Sequence, residues 1–94
     1  MDIARSDIVR SIAGRDAGKI FFVIDTQDEF LILVDGQSRR LEAPKRKKRK
    51  HTVLVGSNES CVAKKIRSEE KVTNSELRRT LAAYGEDGNP DQEG

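Results

Sequence analysis

Residues 19–36 read Lys19-Ile20-Phe21-Phe22-Val23-Ile24-Asp25-Thr26-Gln27-Asp28-Glu29-Phe30-Leu31-Ile32-Leu33-Val34-Asp35-Gly36. Two continuous apolar runs, 20–24 and 30–34, flank the polar, turn-like stretch Thr26-Gln27-Asp28. A strand apolar on successive residues is apolar on both faces and cannot sit in an open sheet with one wet side. In a chain of 94 residues the cover must come from curling the sheet on itself or from docking a helix on it. The short connections suit an antiparallel meander.

Working outward, Ile8 to Ala13 is a β-prone run that stops at Gly14-Arg15-Asp16-Ala17-Gly18. Two glycines around an Asp predict a tight turn, because Gly tolerates positive φ and Asp bonds its own backbone. Asp35-Gly36 is a two-residue hairpin signal. It leads into Ser38-Arg39-Arg40-Leu41-Glu42 as a fourth strand, on which alternation sends Arg39 and Arg40 to opposite faces. Thr52 to Val55 is a fifth strand that could close the structure, ended by Gly56-Ser57-Asn58. The expected fold is mainly β, a five-stranded small SH3-like barrel over residues 1–56.

Residues 57–85 change character and are expected as a helical extension. Thr73 and Glu76 form a capping box, with Val72 and Leu77 at the staple positions. Leu77, Leu81 and Tyr84 then share a face, and Gly85 suits the stop. A helix of about eleven residues is too short to stand alone in water, so it is expected to dock on the barrel. A second helix over 58–68 would bury Val62 and Ile66 and expose Lys64, Lys65 and Arg67. Residues 86–94 are acidic, without apolar residues, and are expected to be disordered.

Charge is distributed unevenly. The net charge is only +2, yet Lys45-Arg46-Lys47-Lys48-Arg49-Lys50 places six cations in a row between Pro44 and His51. Their mutual repulsion is offset by a polyanion, most commonly a phosphate backbone. A solvated loop and a nuclear-import signal are compatible with the same composition. The run is expected as a loop joining the fourth and fifth strands. Aromatic residues are few, Phe21, Phe22, Phe30 and Tyr84 with no Trp, which disfavours base stacking on aromatic platforms. No apolar stretch approaches the roughly 20 residues of a membrane span. The N-terminus lacks the apolar region of a secretory signal, and Cys61 is the only cysteine. These features favour the cytoplasm.

No enzyme constellation is visible. His51 is the sole histidine and has no motif supplying a nucleophile and an orienting acid. Cys61 reads as a small filler. Asp25, Asp28, Glu29 and Asp35 match no calcium loop, and Gly14 to Gly18 lacks the ending of an ATPase phosphate loop. Nothing calls for a cofactor or a metal.

The stretch Ser6 to Val23 resembles a KOW motif, the strand–loop–strand element of SH3-like barrels in large-subunit ribosomal proteins and transcription elongation factors. The chain is most similar to small bacterial KOW-domain proteins that resemble archaeal and eukaryotic large-subunit ribosomal proteins. The similarity rests on Val9 to Gly18, on Asp35-Gly36 followed by Arg39 or Arg40 and Leu41, on Pro44 to His51, and on Thr73 to Arg78. Asp7 stands where the motif usually has Gly, and Ala17 where Lys is common. The resemblance implies a non-catalytic RNA-binding protein, associated with ribosomal RNA and with ribosomal proteins as further partners. The RNA-binding candidates are Arg15, Lys19, Arg39, Arg40, Lys45, Arg46, Lys47, Lys48, Arg49, Lys50 and His51. For Arg15 and Asp16 the plain alternative is a turn held by Asp-to-backbone bonds. The alternative function is a protein-interaction module on the translation or transcription machinery, docking through the 73–84 helix.

Overall fold

A computed structural model describes residues 3–56 and 60–87. Five strands come first: β1 (Ile8–Ser11), β2 (Ile20–Gln27), β3 (Phe30–Val34), β4 (Lys45–Lys48) and β5 (Thr52–Gly56). A three-residue 3-10 turn, Arg49–His51, joins β4 to β5, and the helices α1 (Cys61–Arg67) and α2 (Asn74–Asp87) follow. The strands form one antiparallel sheet in the order β4-β3-β2-β1-β5. Among the described residues no ladder joins β4 to β5, so the sheet is open rather than hydrogen-bonded into a closed barrel.

The two doubly apolar strands are covered by both devices at once. On one face Ile8, Phe22 and Val34 pack against Val62, Ala63 and Ile66 of α1 and Leu77 and Leu81 of α2. On the other face Val9, Phe21, Val23, Leu31 and Leu33 are all fully buried, and Ile3 packs against them. That second cluster draws on strands and the N-terminal segment alone, so the sheet itself must curl around it. The short 3-10 turn between the two edge strands holds those edges near each other at one point.

The fourth strand is not Ser38–Glu42. Asp35 instead organises a broad connection: its Oδ1 accepts from the backbone N–H groups of Gln37 at 2.9 Å and Arg39 at 2.8 Å. Its Oδ2 accepts from the Ser38 hydroxyl at 2.8 Å. Asp35 thus anchors a longer loop, and Asp35-Gly36 is not a two-residue hairpin turn. Leu41 then donates its N–H to Asn74 Oδ1 at 2.8 Å and packs into the helix-side cluster. The strand forms from the cationic run, which was expected as a loop. Long Lys and Arg stems cover apolar surface while their heads stay wet, and β3 offers an apolar edge to pair with: Leu31 opposes Lys47 and Ile32 opposes Arg46.

The helical half follows the sequence more closely. Thr73 N–H donates to Glu76 Oε1 at 2.9 Å, and Glu76 N–H donates to Thr73 Oγ1 at 3.2 Å, the reciprocal pair of a capping box. Leu77 and Leu81 are buried and Tyr84 is half-buried against the sheet. The helix passes through Gly85 to Asp87, so Gly85 is not its stop. The shorter helix is α1, with Val62 and Ile66 buried as expected; residues 58 and 59 of the expected span lie outside the described residues. Cys61 is exposed at the start of α1 and is not a core filler. Of the acidic tail expected to be disordered over 86–94, Glu86 and Asp87 instead belong to α2, and residues 88–94 lie outside the described residues. No helix among the described residues is long and apolar enough to cross a membrane.

Candidate nucleic-acid interface

The first turn is fastened by its acid. Gly14 and Gly18 have φ of +82° and +94°, which only glycine adopts without strain, and between them Asp16 points back into the sheet. Its Oδ1 accepts from Ser11 Oγ at 2.8 Å and from Lys47 Nζ at 3.2 Å. Lys47 Nζ also donates to the Ala13 carbonyl at 2.9 Å, and Lys45 Nζ lies 3.6 Å from Asp16 Oδ2. The Asp16 and Lys47 side chains are 13% and 9% exposed. Burial pushes the Asp16 carboxyl up, but the Ser11 hydroxyl and the Lys47 and Lys45 ammonium groups outweigh it and hold it below its ordinary range. The turn is therefore held by a side-chain tether to β4 more than by Asp-to-backbone bonds. Arg15 and Lys19 stand exposed on either side of it.

Strand periodicity sorts the cationic run into two sets. Lys45 and Lys47 oppose Leu33 and Leu31, so they share the interior face and are turned toward Asp16. Arg46 and Lys48 oppose Ile32 and Phe30 on the outer face. The Arg46 guanidinium lies 4.0 Å from the centre of the Phe30 ring, a cation–π contact. Arg49 is spent on backbone carbonyls, donating from Nε to Asp28 O at 2.6 Å and from Nη1 to Ile3 O at 3.2 Å. Lys50 is exposed. His51 is half-buried, and its carbonyl accepts from Ile12 N–H at 2.9 Å. Six consecutive cations thus become three that hold the protein together and three that face outward.

Arg39 and Arg40 are both exposed, because the segment carrying them is not a strand. Arg40 Nη1 lies 4.0 Å from Glu42 Oε2. The registers Arg10↔Ile20 and Phe22↔Val34 put the 12–19 and 35–44 connections at one end of the sheet. Arg15, Lys19, Arg39 and Arg40 share that end with the start of β4. Lys48 sits at the other end of β4, opposite Phe30, while the 3-10 turn returns Lys50 and His51 toward Ile12.

Arg10 is a further cation, outside the candidates the sequence pattern names. It is exposed on β1, between Ile20 and Val53 in register. Its signal was available as the one charged residue in the run Ile8 to Ala13. The tether of Lys47 to Asp16 had no such signal, since the two are 31 positions apart. No protein-family model matches the chain, and no curated protein matches it either.

Proposed function

We propose that this chain is a non-catalytic RNA-binding protein of the cytoplasm, of KOW type, that binds ribosomal RNA or another structured RNA through phosphate contacts. The strand order β4-β3-β2-β1-β5, the curled interior cluster and the 3-10 turn between β4 and β5 fit an SH3-like barrel. One observation carries the functional reading. Asp16, the acid of the first turn beside Arg15, is paired internally with Lys47 and Lys45. Arg15, Lys19, Arg39, Lys48 and Lys50 are exposed and make no ion pair among the described residues. Exposed cations without internal partners are what a polyanion neutralises. With one Tyr, three Phe and no Trp, recognition rests on backbone and shape more than on base stacking.

The protein-docking alternative relied on the apolar stripe of α2. That stripe is occupied: Leu77 and Leu81 are buried on the sheet and Tyr84 is packed against it, leaving little of it to offer a partner helix. The test is crosslinking in cells followed by sequencing of the attached RNA. Enrichment of one ribosomal RNA region is expected; recovery of no enriched RNA would overturn the proposal.

A further inference from the structure

A groove of about 470 Å³ runs beside β5, lined by Ile3, Arg49, Lys50, Thr52, Val53 and Leu54. It lies where the sheet is open, because β5 is an edge strand. Its walls differ in character. Ile3 and Leu54 are apolar, and Val53 is 41% exposed, one of two large apolar side chains so exposed among the described residues. Lys50 supplies an exposed cation at its end. The Arg49 guanidinium is fixed to the carbonyls of Asp28 and Ile3, which holds that wall in place. Thr52 donates its hydroxyl to Arg49 O at 2.8 Å, bracing the 3-10 turn.

We infer that this groove receives an unpaired nucleotide of the bound RNA, with the base or ribose resting on Val53 and Ile3 and a flanking phosphate at Lys50. The inference rests on the RNA-binding reading and sharpens it: the protein binds RNA at a place where a nucleotide is turned out of its helix. Charge complementarity selects the occupant. The only charged residues lining the groove, Arg49 and Lys50, are cationic. An unstacked nucleotide pairs an apolar face with an anionic linkage, and the groove offers a surface for each. Bases in loops and bulges are available for this, whereas bases in a continuous duplex are not.

The test compares a hairpin RNA carrying unpaired loop uridines with a fully paired duplex of equal length. Wild-type protein should bind the hairpin more tightly. Val53→Ser, a change at an exposed position, should weaken hairpin binding by about fourfold, the worth of roughly one methylene group of apolar contact. It should leave duplex binding and the salt dependence unchanged. Ile12→Ser is the control, since Ile12 is 52% exposed but does not line the groove; it should leave the hairpin preference intact. Equal losses for hairpin and duplex with Val53→Ser, no loss at all, or the same loss with Ile12→Ser would each overturn the groove. So would an acidic peptide that competes for the site with the same Val53 dependence. If wild-type protein binds both RNAs with steep salt dependence and no preference, the groove falls and the phosphate reading survives. If it binds neither, both fall.

Discussion

Replacing Arg15, Lys48 and Lys50 together by Gln tests the phosphate surface with the least damage to the fold. All three are exposed and make no ion pair among the described residues. Of the exposed candidates, Arg40 is near Glu42 and Arg46 lies on Phe30, which leaves Arg15, Lys19, Arg39, Lys48 and Lys50. If those five each neutralise one phosphate on single-stranded RNA, log affinity falls with log salt at a slope near about −3.5. Between about 50 and 200 mM salt the wild-type protein should then lose roughly a hundredfold in affinity. With three contacts removed the slope should drop to about −1.4, and the loss over the same range to about sevenfold. Fluorescence anisotropy with a labelled RNA at several salt concentrations reads both numbers. Lys47→Met is the counterpart: Lys47 is directed inward at Asp16 and Ala13, so it should lower thermal stability and leave the slope near the wild-type value. An unchanged slope in the triple variant, or a slope change for Lys47→Met in protein shown to be folded, would refute the sorting of the run into inner and outer cations.

Two further outcomes follow from the scaffold. The Asp16 carboxyl is held below its unfolded value of 3.8, so its contribution to stability is present above that pH and is lost as pH falls through the folded value. Thermal melts from neutral pH into that acid range should show this loss in the wild type, and Asp16→Asn should remove that part of the pH dependence. Gly36 has φ of +78°, and a Cβ there would overlap the Asn74 carbonyl and press on Leu77 Cβ at 3.0 Å. Gly36→Ala should therefore cost about 2–4 kcal/mol, whereas Gly18→Ala, with φ of +94° and no neighbour in reach, should cost only about 1–2 kcal/mol of backbone strain. Urea melts of the two variants check the order, and equal losses would show that packing against α2 contributes nothing at Gly36.

Much of the fold is legible in the sequence because it rests on local periodicity. The runs at 20–24 and 30–34 announce strands covered on both faces, and Thr73 with Glu76 announces the start of α2. What failed was the segment between Asp35 and His51. There, local signals name a hairpin and a loop, while the decisive fact is non-local: the β3 edge opposite Lys45–Lys48 is apolar and unpaired without that run. A strand partner of this kind is invisible to any window that does not contain it. The same limit applies to Asp16, whose neighbours in sequence suggest a backbone turn, though its carboxylate is held by Lys45 and Lys47 across the sheet.

By itself the sequence determined four of the five strands (β1, β2, β3 and β5), the capped helix, and that positive charge is concentrated between Pro44 and His51. Only the tertiary structure decided what each cation does. Strand alternation turns Lys45 and Lys47 inward, where a part-buried carboxylate strengthens its bonds to them in a low-dielectric setting. The same alternation leaves Arg46 and Lys48 facing out, and the 3-10 turn carries Lys50 beside an open strand edge. Charge is a property of residues, and it was countable from the start; its accessibility depends on which face of β4 each residue occupies, and pairing with β3 sets that.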